Sequence, residues 1–144
     1  MARRRANRES VGFLLAKASQ RWNELLAERF AREGFPEVRA AYGSILLPLF
    51  EEDGLRMGEL ASRARLSKQT MTTMVRLMER DGLVRRESDP EDRRAARIRL
   101  TARARRFRPV AEAVLAALDG LASARLGARG LAQLQTLAKG VMEL

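Results

Sequence analysis

A mainly α fold carrying one small β-hairpin is what this chain predicts, on three observations. Apolar residues recur at helical spacing through the first and last thirds. Between them, Gly58 to Arg80 reads as two shorter helices separated by a tight turn. The segment after them carries basic residues on both sides of a Ser-Asp-Pro-Glu-Asp turn and alternates apolar and basic residues after it, which is the pattern of a one-sided hairpin.

Gly58 to Ala64 forms the first short helix, Arg65 and Leu66 fall in the turn, and Ser67 stands as the N-cap of the second. In that second helix Met71, Met74, Val75 and Met78 follow the i, i+3, i+4, i+7 spacing and face the core. Rotation by the same angle puts Gln69, Thr72, Thr73 and Arg76 on the opposite face, with Lys68 at its flank. Amides, hydroxyls and a guanidinium presented outward can read base edges in the roughly 12 Å wide major groove, where Arg suits guanine and Gln suits adenine. A merely solvated face would carry Glu–Lys pairs four residues apart, yet this one has no acid before Glu79.

Gly82 then suits a left-handed helix end, and Leu83 to Arg86 reads as a strand. After the turn from Ser88 to Asp92 a second strand returns through Ala96 to Leu100, with Ile98 and Leu100 inward and Arg97 and Arg99 outward. Arg93 and Arg94 lie at the tip, where they can follow a phosphate backbone or enter a narrow minor groove. Two helices joined by a tight turn and followed by a basic hairpin make a winged helix-turn-helix, a device for duplex DNA.

These residues carry a family resemblance. ELASRARLSKQTMTTMVRLMERDGLVRR followed by DPEDRRAARIRLT resembles the winged helix-turn-helix of the MarR (multiple antibiotic resistance regulator) transcriptional regulators. The most specific element is the turn and strand carried by Asp89, Pro90, Asp92, Arg94, Leu100 and Thr101. The resemblance implies that Asp92 shapes the wing and that Arg94 reaches DNA. One departure is Ala104, where family members usually have Gly. The resemblance extends over essentially the whole chain, because the flanking helices match in order and length.

Composition narrows the remaining classes. The 144 residues suit one domain, and 28 Lys and Arg against 18 Asp and Glu give a net charge of +10, which favours a polyanionic partner. Eight of the basic residues lie between Arg93 and Arg108. No apolar run reaches the roughly 20 residues of a spanning helix, and the early apolar stretch is interrupted by Lys17 and Arg21, unlike a cleavable signal. A cytoplasmic protein is the expectation. The chain has no Cys and no His, which removes thiol redox chemistry, the usual zinc ligands and the usual general base. Its carboxylates sit mainly at helix ends and turns, where capping accounts for them, so neither an enzyme nor a cofactor is expected.

The flanking helices read as scaffold. Ser10 is placed to cap a helix carrying Val11, Leu14, Leu15, Ala18, Trp22, Leu25, Leu26 and Phe30 that ends near Gly34. Pro36 suits the first turn of a second helix through Phe50, with a bend or early end at Pro48. Asp53 and Gly54 close it, and Leu55 to Met57 predicts a short strand against the wing. After Thr101 a helix perturbed by Pro109 should break between Gly120 and Gly127, and a last helix should run through Leu131 to Met142. The expected organisation is a flexible basic arm over 1–9 and one domain over 10–144. Within it the winged helix-turn-helix occupies about 55–101, and dimerisation helices occupy about 10–33 and 102–144. Apolar stripes on protruding helices need a cover, for which a second copy of the chain is the simplest. The resemblance implies the same homodimer.

The expected function is a sequence-specific DNA-binding regulator, a repressor on a pseudo-palindromic operator. Ser67, Lys68, Gln69, Thr72, Thr73, Arg76, Arg93, Arg94 and Arg97 are its expected DNA contacts. A sequence-tolerant architectural or nucleoid-type DNA binder is the alternative, since phosphate contacts alone would explain the charge but not the polar helix face. Members of the family often bind lipophilic or aromatic anions. Phe13, Lys17 and Arg21 at one-turn intervals, with Tyr42 opposite, form a candidate pocket for such an effector.

Overall fold

The computed structural model describes residues 6–144, so Met1 to Arg5, most of the expected basic arm, lie outside the described residues. Helix α1 runs over Val11–Arg32 and is followed by a 3-10 turn at Ala40–Tyr42 that leads into α2, Gly43–Glu51. The two-residue strand β1, Leu55–Arg56, opens directly into α3, Met57–Ala64, and α4 follows over Lys68–Arg80. The hairpin strands are β2, Val84–Ser88, and β3, Ala96–Leu100, and α5 spans Ala102–Met142. The sheet is antiparallel in the order β1-β3-β2, with Leu55 opposite Ile98 and Val84 opposite Leu100.

The expected stripe of α4 does face inward: Met71, Val75 and Met78 are fully buried, and Met74 packs beside them. They meet Ile45, Leu46 and Leu49 of α2, Leu60 of α3 and Ile98 of the sheet. Phe107 fastens α5 to this core, standing edge-on to Phe30 at 4.8 Å and near Phe35 at 5.2 Å. Asp53 joins three elements. Its Oδ1 accepts from the Gly54 and Leu100 amides at 2.8 and 2.9 Å, and its Oδ2 from Arg105 at 3.2 Å. Gly54 between them has φ +73°, a conformation that calls for glycine, and a Cβ there would stand 2.6 Å from Arg99 Nη1 and displace that guanidinium.

Several local expectations are corrected. Ser10 sits at the start of α1 but its side chain accepts no capping hydrogen bond. Pro36 does not begin a helix, because Pro36 and Glu37 form a turn and the helical run starts only at Ala40. Neither internal proline breaks its helix: α2 continues through Pro48 to Glu51, and α5 passes Pro109 with helical dihedrals. Burial of Ile45, Leu46 and Leu49 on one side, and of Phe107 and Ala111 on the other, overrides the local cost of a missing N–H. The break in α5 does fall within the expected stretch, at Gly127 with φ 78° and ψ 158°.

The two ends of the chain leave apolar surface uncovered. Val11, Phe13, Leu14 and Leu15 are exposed on α1, and in α5 no residue beyond Leu118 is buried.

Tyr42 is fully buried, and its hydroxyl donates to Asp81 Oδ2 at 2.5 Å, joining the start of α2 to the end of α4. Burial, and then the bond to Asp81, pushes the phenol above its ordinary value to about 12. The same bond holds the Asp81 carboxyl below its usual range against the opposing effect of burial. Tyr42→Phe keeps the ring but removes the donor, so unfolding free energy at neutral pH should fall by about 1.5 to 3 kcal/mol, the range for a hydrogen bond to a charged group. A depressed carboxylate contributes stability above its unfolded pKa and loses it as pH falls. A raised phenol keeps its contribution below its unfolded pKa and loses it as pH climbs toward about 12. Urea titrations should therefore show a wild-type advantage that is widest near neutrality and narrows in acid and in strong base. Equal stability of the two proteins at pH 7 would contradict this account.

Candidate nucleic-acid interface

The outward face of α4 is built by its cap and its buried stripe. Ser67 Oγ accepts from the Thr70 amide at 3.1 Å, which fixes the first turn. Lys68, Gln69, Thr72, Thr73 and Arg76 are then all exposed on the side away from the core. The Thr72 and Thr73 hydroxyls donate back to the Lys68 and Gln69 carbonyls at 2.9 and 3.2 Å. Their outward lone pairs remain as acceptors, while Lys68, Gln69 and Arg76 supply the donors. Arg76 and Lys68 have no ion-pair partner among the described residues.

The hairpin is held at two points. At its tip, Asp92 Oδ1 accepts from the Arg94 amide and its carbonyl accepts from the Ala95 amide, both at 3.0 Å, leaving Arg93 and Arg94 exposed. At the neck of the tip loop, directly after β2, stands Asp89, 1% exposed and the only charged residue among the buried ones described. Its Oδ1 accepts from the Glu91 amide at 2.9 Å, and its Oδ2 from Arg56 Nε at 2.6 Å, with Arg97 Nε 3.3 Å away. The Glu91 amide, then Arg56 and Arg97, keep this carboxyl below its usual range against desolvation. Because Arg56 immediately precedes α3, the pair joins the wing to the helix-turn-helix.

Arg97, an expected DNA contact, is therefore engaged inside the protein, since it also donates to the Gly54 carbonyl at 3.0 Å. Arg99 is likewise turned to Glu87 at 2.7 Å. Arg103, Arg105 and Arg108 pair with Glu37, Asp53 and Glu112. Of the eight basic residues from Arg93 to Arg108, these five are internal ties. Arg93, Arg94 and Arg106 carry no such partner among the described residues.

Thr72 and Arg94 line one concavity of about 510 Å³, together with Arg56, Glu59 and Arg86. The structure thus brings the recognition face and the wing to one side. Arg56 and Arg86 were not foreseen at this face. Arg86 is anchored by Glu79 at 2.7 Å, a pairing between α4 and β2 that no short-range pattern reveals.

The four residues of the expected effector pocket are not brought together. Lys17 donates to Gln20 at 3.1 Å, Arg21 to Glu24 at 3.2 Å, and Phe13 lies beneath Lys17 on the exposed side of α1. Tyr42 is sealed in the core. A different cavity of about 180 Å³ opens between α1, α2 and α5, lined by Leu26, Phe30, Leu46, Phe50, Phe107 and Leu115, with Arg39 also on its wall.

Asp89→Asn tests the neck of the tip loop. Loss of charge leaves Arg97 without an anion and Arg56 with only the Glu91 carboxylate at 3.9 Å, so amide exchange across Asp89 to Ala96 should accelerate, and duplex DNA should bind about tenfold more weakly, a factor equivalent to about 1.4 kcal/mol. Unchanged exchange in the wing would show that Asp89 does not hold it.

Comparison with known proteins gives a consistent picture. A family model described as MarR family matches residues 41–96. The chain is 37% identical over 102 residues to HTH-type transcriptional repressor Rv2887 of Mycobacterium tuberculosis, a match spanning 65% of this chain and 73% of that protein. Among solved structures it is similar to the PcaV transcriptional regulator from Streptomyces coelicolor, in complex with its natural ligand, with a TM-score of 0.80 and 24% identity over 99% of this chain and 98% of that one. It is also similar to the transcriptional repressor CouR bound to a 23-mer DNA duplex, with a TM-score of 0.80 and 22% identity over 98% and 99%.

Proposed function

The chain belongs to the MarR family of transcriptional regulators, and from that premise we propose that it is a repressor acting as a homodimer on a pseudo-palindromic operator. The observation that carries this reading is the joint exposure of Gln69, Thr72, Thr73 and Arg76 on α4 beside the free tip arginines of the wing. An architectural binder needs only the positive charge, whereas a face of directed donors and acceptors serves base readout. The exposed apolar residues of α1 and of the far half of α5 supply the surface for a second copy. Two copies related by a two-fold axis place their recognition helices in successive major grooves, roughly 34 to 36 Å apart. Lys68 and Ser67 flank the reading face, and Arg93 and Arg94 serve the wing. Arg97 contributes through the wing's shape and not by direct contact.

Arg76→Ala and Arg94→Ala separate readout from charge. Losing Arg94 should lower the salt slope of log K by about 1 per half-site and weaken all sequences alike. Losing Arg76 should cost about 1 to 3 kcal/mol on the operator and little on random duplex. Fluorescence anisotropy with both duplexes across a salt series checks this, and equal weakening of both duplexes by both variants would remove Arg76 from the reading face.

The effector reading moves to the cavity between α1, α2 and α5. At about 180 Å³ with apolar walls it suits a single aromatic ring, and Arg39 supplies a cation for a carboxylate. A ligand there that prefers the DNA-incompetent state must weaken operator binding reciprocally. Salicylate as a probe should raise the melting temperature of the free protein and lower its operator affinity. Arg39→Met should remove both effects and leave DNA binding without ligand intact. Responses undiminished in Arg39→Met would displace the effector from this cavity.

A further inference from the structure

Arg65 is the only non-glycine residue with positive φ among the described residues. It stands at the end of α3 with φ 55° and ψ 40°, in the turn that leads into the recognition helix. Glycine, or less often asparagine, is the residue that takes this left-handed position without steric conflict. An arginine here therefore runs against local preference, and its backbone already satisfies the cap through the Ala61 and Ser62 carbonyls. What its side chain adds is remote. Arg65 Nη1 donates to the Met142 carbonyl at 3.4 Å, 77 residues along the chain.

The surroundings make that contact more than a chance approach of two surfaces. Leu47, Pro48, Arg63, Ala64, Arg65 and Met142 line a single concavity of about 440 Å³, so the last turn of α5 lies over the junction of α2 and α3. Carbonyls at a helix C-terminus carry partial negative charge, which a guanidinium complements. Because nothing in α5 beyond Leu118 is buried and the helix breaks at Gly127, this last segment has no packed core of its own to fix it against the lobe.

We propose that Arg65 is a positioning residue, tying the turn before the recognition helix to the end of α5 and so fixing the angle at which α4 meets DNA. This rests on the reading of the chain as a two-fold DNA binder. The first half of α5 is attached separately, through Arg103 and Arg105 paired to Glu37 and Asp53. With one attachment at the wing side and a second at the turn, the lobe cannot rotate freely on the dimerisation helices. Half-site spacing is then read strictly.

Two variants test it. Arg65→Gly removes the side chain while accepting the backbone conformation, and deletion of Val141 to Leu144 removes the acceptor while leaving Arg65 in place. Hydrogen exchange of the amides from Ser67 to Met71 should be about threefold faster in the deletion, in keeping with couplings carried by single contacts. Arg65→Gly should melt no lower than wild type. Both variants should lose about threefold or more of the preference for the correct operator over operators with one base pair added or removed between half-sites. Arg65→Gly should keep the wild-type salt slope, whereas the deletion, which also trims the apolar face offered to a second copy, is compared only at concentrations where it sediments as wild type does; the combined variant should show no further loss. Unchanged exchange in the deletion would overturn the tie. A lower salt slope in Arg65→Gly, with all spacings weakened alike, would overturn it in favour of a phosphate contact. Faster exchange in the deletion with no spacing preference in wild type would instead uphold the tie and overturn the two-site DNA reading.

Discussion

A buried carboxylate under two arginines governs the geometry of the side on which α4 and the wing meet. Asp89 has no exposed side-chain surface, and its charge is tolerable in the interior only because Arg56, Arg97 and the Glu91 amide meet it. Arg56 belongs to β1 and leads straight into α3, while Arg97 belongs to β3 and also grips the Gly54 carbonyl. Beside the pairing of β1 with β3, this one side chain ties the start of the tip loop to the strand from which the helix-turn-helix starts. The recognition helix and the tip arginines consequently face one direction as one body.

The same logic explains how a chain of net charge +10 remains a folded domain. Its acids are placed as ties: Glu37 to Arg103, Asp53 to Arg105, Glu79 to Arg86, Glu87 to Arg99. Exposed pairs of this kind each contribute little to stability. Their effect is to direct guanidinium groups, leaving Arg76, Arg93 and Arg94 unpaired among the described residues on the face where α4 and the wing meet. Net charge alone is therefore a poor count of the unpaired cations on this face. The dense basic run after Arg93 looks like a phosphate-binding strip in the sequence, but most of it holds α5 and the sheet together.

Legibility followed the range of the interactions. Short-range signals were readable: the Ser67 cap, the apolar stripe of α4, the inward Ile98 and Leu100, and the glycine at the end of α4 all lie within a few residues of what they determine. Features set by distant partners were not. Pro48 and Pro109 pass through their helices because tertiary burial outweighs the lost amide, and Pro36 fails to start one because residues 35–38 pack down through Phe35 and Val38. An aromatic near two cations suggests an effector pocket at Tyr42, yet its hydroxyl is claimed by Asp81, 39 residues away. Asp89 was read as part of a turn, and nothing in its neighbours announces Arg56 as the partner.

The central claim is that this geometry reads sequence and does not merely gather phosphate. Its most direct test is a titration of the full chain with a genomic fragment selected by the protein and with random duplex of equal length at one salt concentration, with stoichiometry measured in the same experiment. Two chains per selected site, with an affinity at least about 10³-fold above that for random duplex, is the predicted result for a specific regulator. Equal affinity for both duplexes, with stoichiometry rising with length, would contradict it and identify a sequence-tolerant DNA coat.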